Sequence, residues 1–136
     1  MVSLADFLIC GDLGNITKDT HIEDVISLFG DAYNIGSPSK KITILQYDNI
    51  EISFMKNQLL LIAIYNKQKK FKELSDSYIL DFDQNNLVSF LNKNNTLWKV
   101  INLPHFPNCI KFKINDLLEV IFDSEWGGLY AITRQF

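Results

Sequence analysis

The apolar positions of this chain follow two spacings. From Ser3 to Cys10 and again from Thr20 to Phe29 they recur every three or four residues, the period of one helix face. From Ile42 onward they recur mostly every second residue, the period of one strand face. Ser3 stands where a helix needs a cap, Asp6 falls in the first turn where the backbone dipole favours a carboxylate, and Gly11 and Gly14 close the segment. The second helix reads as opening on a capping box, Thr20-His21-Ile22-Glu23. It presents Ile22, Val25, Ile26 and Phe29 on one side and stops at Gly30. Asp31 to Lys41, with Asn34, Gly36, Ser37, Pro38 and Ser39, reads as a loop.

Strands are expected at Ile42–Tyr47, Ile50–Phe54 and Leu59–Tyr65, separated by the turns Asp48-Asn49 and Lys56-Asn57. The third of these is apolar at every position, which suits a central strand. Asn66 to Ser77 is polar and reads as a linker, and Tyr78–Phe82 alternates like a fourth strand. A short helix over Asn86–Asn92 follows. After it come strands at Leu97–Ile101, Cys109–Ile114, Leu118–Phe122 and Leu129–Thr133, with a rigid Pro104–Pro107 loop and a Trp126 hairpin between them.

Two stretches resemble each other: DNIEISFMKNQLLLIAIY and NDLLEVIFDSEWGGLYAIT. Each is a polar turn, then apolar-Glu-apolar-x-Phe, a second turn, and a strand ending in Ala-Ile. The alignment matches Ile50 with Leu118, Glu51 with Glu119, Ile52 with Val120, Phe54 with Phe122, Ala63 with Ala131 and Ile64 with Ile132. A helix precedes each. A helix with three antiparallel strands cannot cover its own apolar face, but two such units can share one sheet with helices on one side. The expectation is one α+β domain over 1–136 with pseudo-repeats at about 17–66 and 84–134, a mostly antiparallel sheet and one face left open.

With 136 residues, 47% of them hydrophobic, the chain can bury a core and does not have a disordered composition. Its longest apolar run, Leu59–Tyr65, is short of a membrane span. Leu8-Ile9-Cys10-Gly11 touches on a lipoprotein cleavage pattern. No basic residue precedes it, Asp6 interrupts it, and Ile9 stands where a small residue belongs, so the segment reads as a helix of a soluble, cytoplasmic protein. Cys10 and Cys109 read as two buried thiols of a reducing compartment.

Charge is unevenly placed. Asp6, Asp12, Asp19, Glu23, Asp24 and Asp31 form an acidic start. Lys40 to Lys72 is basic, and Glu73, Asp76, Asp81 and Asp83 are acidic again. The chemistry is sparse. His21 lies in the first turn of a helix, and His105 stands between prolines with no nucleophile or acid at an informative spacing. Asp81 and Asp83 share one side of their expected strand without a third ligand, so neither a metal nor any other cofactor is implied. Two minor readings stay open. One is a nucleic-acid surface built from Lys40 to Lys72 with Tyr47, Tyr65 and Phe71; the other is an enzyme using His105. The first is opposed by an isoelectric point near 5.3.

The first repeat carries Thr20-x-x-Glu23-x-Val25, Leu28-Phe29-Gly30-Asp31, a strand ending in Tyr47, Ile50–Phe54 and an apolar strand. It resembles the helix–three-strand unit of the β-lactamase inhibitory protein and of SmpA/OmlA-type assembly lipoproteins. It is also similar to bacterial immunity proteins that neutralise toxins passed between cells. Where many such sequences place a proline after Leu-x-Gly-acidic, this chain has Ala32. The resemblance implies a tandem helix–three-strand fold and a protein that binds and blocks a cognate toxin; the acidic groups suit a toxin whose own site is basic, such as a nuclease domain, and no membrane partner is expected. The expected partner contacts are Asp31, Tyr33, Asp76, Asp81, Asp83 and Trp126, with Phe106 a further exposed aromatic; Trp and Tyr anchor interfaces, and acidic groups steer a basic partner.

Overall fold

Lys56 and Asn57 both have positive φ (49° and 65°), as do Asn115 and Asp116 (53° and 54°), so the chain reverses tightly at each point. Such turns hold the alternating segments in antiparallel register. The computed structural model describes residues 2–32, 34–67 and 74–136. The strands are β1 (Asn34–Ser39), β2 (Ile42–Tyr47), β3 (Ile50–Met55), β4 (Gln58–Tyr65), β5 (Trp98–Asn102), β6 (Cys109–Ile114), β7 (Leu118–Asp123) and β8 (Gly128–Gln135). They form one antiparallel sheet in the order β1-β2-β3-β4-β8-β7-β6-β5. The helices are α1 (Leu4–Cys10), α2 (Ile22–Phe29) and α3 (Gln84–Lys93), with a 3₁₀ turn at Ser77–Asp81. The protein is α+β.

Each half is a helix followed by four strands, not three, and the halves meet where β4 pairs with β8 from Leu61↔Gln135 to Tyr65↔Ala131. Both halves carry a bulge at the same place. The register slips between Ser53 and Phe54 against β4 and between Ile121 and Phe122 against β8. Phe54 lies opposite Leu59 and Phe122 opposite Leu129, so Leu60 and Tyr130 are the extra residues. This register makes Ala63 answer Thr133 and Ile64 answer Arg134. The Ala-Ile alignment read from the sequence is therefore two residues out. The β7–β8 hairpin has four residues between Asp123 and Gly128 where the β3–β4 hairpin has two between Met55 and Gln58.

The core lies on one side of the sheet. Leu45, Tyr47, Ile50, Ile52, Phe54, Ile62 and Ile64 from the first half join Phe112, Ile114, Leu118, Val120, Phe122, Leu129 and Ile132 from the second in one cluster. Val25 of α2 and Leu87 and Leu91 of α3 cover it. The unpaired helix α1 adds Leu4, Phe7 and Leu8, all fully buried. Its carbonyl end is held by Asn115 Nδ2 donating to Ile9 O (2.9 Å) and by the Arg134 guanidinium, which donates to Gly11 O. That guanidinium also pairs with Asp12 (3.2 Å) and lies 4.4 Å above the Phe136 ring centre. A cation at that terminus suits the helix dipole.

Several expectations need correction. The cap of α2 is His21, not Thr20, and Asp24 rather than Glu23 accepts the return bond from His21 N (3.0 Å). The first orphan N–H, that of Ile22, is met by Asn57 Oδ1 from the β3–β4 turn (3.1 Å), and His21 Nδ1 donates to Asn57 O (3.2 Å). The expected loop over Asp31–Lys41 contains β1. Its residues are poor strand formers, but β2 offers an unpaired edge. Pro38 costs no ladder bond on an outer strand, and the register shifts between Gly36 and Ser39. The expected strand at Tyr78–Phe82 is instead the 3₁₀ turn, in which Ile79 N donates to Asp76 O (3.2 Å) and Phe82 N to Ile79 O (3.0 Å), with Ile79 and Leu80 both buried. Cys10 is exposed and Cys109 half-buried, so the pair are not two buried thiols.

Asn57 thus serves α2 while holding a left-handed backbone. Replacing it by Gly removes the cap alone and is expected to cost about 1 kcal/mol. Replacing it by Ala also strains the turn and is expected to cost about 2 kcal/mol. Urea unfolding of the two variants checks the ranking; equal losses would show that the turn backbone carries no strain.

Candidate interaction surface

Strand partners at equal register lie on the same face, so the side of the sheet away from the helices can be followed across the whole molecule. One rung runs Asn34, Gln46, Glu51, Ala63, Thr133, Glu119, Lys113, Lys99, one residue from each strand. Glu51 and Glu119 flank the central Ala63–Thr133 pair symmetrically. Asn34 Nδ2 donates to Gln46 Oε1 (2.9 Å) and Gln46 Nε2 to Glu51 Oε1 (2.8 Å), while Lys111 pairs with Glu119 (3.1 Å). The apolar residues of this face, among them Ile44, Leu61 and Ile121, stand apart from the helix-side core.

At one end of this face, where β4 finishes and β8 begins, three rings stand in a row. Tyr65 and Tyr130 have centroids 6.0 Å apart and planes at 70°, and Tyr130 and Trp126 have centroids 5.6 Å apart and planes at 79°. Trp126 is 45% exposed and Tyr130 38%. Trp126 thus folds back onto the sheet yet keeps much of its surface in water. Its loop is ordered by Asp123 Oδ1, which accepts from Glu125 N (2.9 Å) and Trp126 N (3.4 Å). Lys67 Nζ lies 6.0 Å from the Tyr65 ring centre and donates to Asp48 O (3.1 Å). Burial, then Glu51, then Tyr130 push the Tyr65 phenol above its ordinary value near 10.0.

The register equates this row with a second set of positions at the opposite end. Tyr65 answers Gln135, Tyr130 answers Leu60, and the Trp126 loop answers the two-residue Lys56-Asn57 turn. Each half packs one helix, α2 or α3, against the other side of the sheet, while α1 and the 3₁₀ turn belong to neither repeat; the three rings stand at one end and have no counterpart at the register-equivalent positions of the other.

The sequence-derived candidates fall differently. Trp126 belongs to the row. Asp83 caps α3, accepting from Asn86 N (2.7 Å), and lines a cleft of about 230 Å³ beside Asp123, Pro107, Ile110 and Phe122. Asp81 is exposed at the end of the 3₁₀ turn, not on a strand face shared with Asp83. Asp31 is exposed after α2, near enough to Tyr47 to add to the rise in its phenol pKa, which burial mainly causes. Asp76 is a structural anchor. Its carboxylate accepts from Leu4 N (2.6 Å), Ala5 N (2.8 Å) and Ser3 Oγ (3.2 Å), closing the start of α1. Tyr33 lies outside the described residues, as do Lys69, Lys70, Phe71, Lys72 and Glu73.

Phe106 is 63% exposed, and its neighbour His105 is exposed in the same turn. His21 is committed to α2. The thiol of Cys109 is pushed up from its usual 9.0 by desolvation, then by Asp123 and Glu125, which keeps it protonated. Tyr47 is buried with its hydroxyl donating to Gly30 O (2.8 Å), and Lys40, Lys41 and Lys56 sit at turns on the end of the sheet away from Tyr65. The basic stacking surface expected from Lys40 onward is therefore divided. Among the described residues no group of three His, Cys, Asp or Glu side chains is placed to hold a metal ion, and no helix is long and apolar enough to cross a membrane.

Sequence reading missed Tyr130 and placed Tyr65 only in the alternative nucleic-acid surface. Tyr130 reaches the open face as the extra residue of a bulge, which no alternation reveals. The visible signal was the longer second hairpin. No family model, curated protein or solved structure matches the chain.

Asp76→Ala is expected to lower stability by about 1–2 kcal/mol in urea titration while leaving any partner affinity unchanged. An unchanged unfolding midpoint would return Asp76 to the surface candidates. In an alkaline titration followed at the phenolate band, Tyr65 and Tyr47 are expected to ionise later than free tyrosine, and Tyr65→Phe to remove its share of that late component and leave the share of Tyr47. The raised pKa of Tyr65 favours the folded state below about pH 10, and that contribution is lost as pH rises through the folded value. Glu51→Gln is expected to bring the transition only part of the way back, because burial is the larger cause; a full return would show that charge alone sets it.

Proposed function

We propose that this chain binds another protein through the aromatic end of its uncovered sheet face and neutralises it, as a toxin-blocking immunity protein does. The observation that carries the reading is the asymmetry between register-equivalent ends: Tyr65, Tyr130 and Trp126 at one, Gln135, Leu60 and a short turn at the other. Large, partly exposed rings held rigid by one another lose little entropy on docking and bury much area, which is why such residues dominate interface energies. Glu51, Asp123 and Glu125 lie around the row, and Asp83 opens onto the neighbouring cleft. A negative rim around an apolar centre suits a partner whose own site is basic, as a nuclease site is, and speeds the encounter.

The test is co-expression with the protein encoded beside this one. A stable complex and loss of the partner's toxicity are expected. Trp126→Ala is expected to weaken the complex about thirtyfold, equivalent to about 2 kcal/mol. Full neutralisation by a Trp126→Ala, Tyr130→Ala double variant, or turnover of a substrate by the purified chain, would overturn the reading.

A further inference from the structure

We infer that the row formed by Tyr65, Tyr130 and Trp126 receives a cationic side chain of the partner, with arginine the best fit. This rests on the protein-binding reading above and names what that surface recognises. The rings meet nearly edge to face, at 70° and 79°, so each contact sets a positive ring edge against a negative face, and Trp126 and Tyr130 keep a large share of their surface exposed. A ring face attracts a cation and repels an anion. The molecule already displays that preference, because Lys67 places its ammonium 6.0 Å from the Tyr65 ring centre.

The surrounding charge agrees. Glu51 lies close enough to Tyr65 to hinder its ionisation, and Asp123 and Glu125 stand at the Trp126 hairpin. Asp123 binds the hairpin through Oδ1, and Glu125 accepts from Asn108 Nδ2 (2.8 Å). On the neighbouring strands, Lys111 is paired with Glu119. A guanidinium stacks flat on a ring while its edge donors reach carboxylates, which an ammonium does less well and a phosphate or carboxylate not at all. Lys67 is exposed and anchored only to the Asp48 carbonyl among the bonds described, so it is a competitor at the Tyr65 end and leaves Tyr130 and Trp126 to the incoming group.

The probes are three: N-acetyl-tetra-arginine amide, N-acetyl-tetra-glutamate amide and a short oligo-dT. Each is titrated into the full chain and followed by amide and indole NMR. Trp126 is read apart from Trp98, whose indole N–H donates to Asn92 Oδ1 (2.9 Å). The arginine peptide is expected to shift the Trp126 indole and the Tyr65 and Tyr130 amides. Trp126→Ala and Tyr130→Ala should each weaken it about tenfold. Glu125→Gln should weaken it a few-fold and Lys67→Gln should tighten it, while Tyr130→Phe keeps the ring and the binding. Shifts confined to other faces, tighter binding of the glutamate peptide or oligo-dT, or indifference to Tyr130→Ala in a chain that Tyr130→Phe shows to be folded would each overturn the inference. Loss of partner binding in Trp126→Ala without any arginine-peptide binding would sink the cation inference and leave the protein-binding reading standing. Arginine-peptide binding as described, with no partner neutralised, would do the reverse.

Discussion

The pairing of β4 with β8 is the contact on which everything else rests. Each four-strand meander ends in its longest strand, β4 or β8, and that strand would be a bare edge in isolation. Unpaired N–H and C=O groups next to buried side chains are costly and invite aggregation. Joining β4 to β8 satisfies both edges at once, and it makes one continuous apolar face that three short helices can cover. It also turns the least protected strands into the centre and leaves β1 and β5 outside. Of these, β1 carries Pro38 and a register slip, devices that blunt an edge.

A sheet formed in this way has one face too many. Among the described residues the helices are all on one side, so the other face lies outside the helix-covered core. Its centre keeps the symmetry of the two halves, with Glu51 and Glu119 flanking Ala63 and Thr133. Its ends do not. The bulge that recurs in both halves brings Leu60 out at one place and Tyr130 at the other, and two added residues in the β7–β8 hairpin let Trp126 fold back over Tyr130. Duplicated architecture thus supplies a built-in comparison between positions of equal register.

Many of the charged groups that a sequence scan picks out are occupied with holding helices. Asp76 closes α1, Asp83 caps α3 and Asp24 serves α2, each meeting backbone N–H groups that the helix cannot satisfy itself. Asn57 meets another such N–H from the β3–β4 turn, and Arg134 donates to the carbonyl end of α1. Short helices of seven to ten residues have most of their backbone groups near an end. Their need for partners explains why so much of the polar inventory points inward and so little remains for an outside ligand.

The sequence alone determined whatever depends on neighbours in the chain. Period-two alternation and polar turns located seven of the eight described strands, helical spacing located the three described helices, and the two similar stretches announced a paired architecture. What it left undecided depends on partners far away. β1 is a strand because β2 offers an edge, not because of Asn34, Gly36 or Pro38. Tyr78–Phe82 is a 3₁₀ turn because Ile79 and Leu80 both find room in the core. The register that sets Tyr130 beside Tyr65 and Trp126 follows from a bulge, and a bulge is a property of two strands together. Alternation says that a residue faces one side or the other; only the paired sheet decides which side, and which residues meet there.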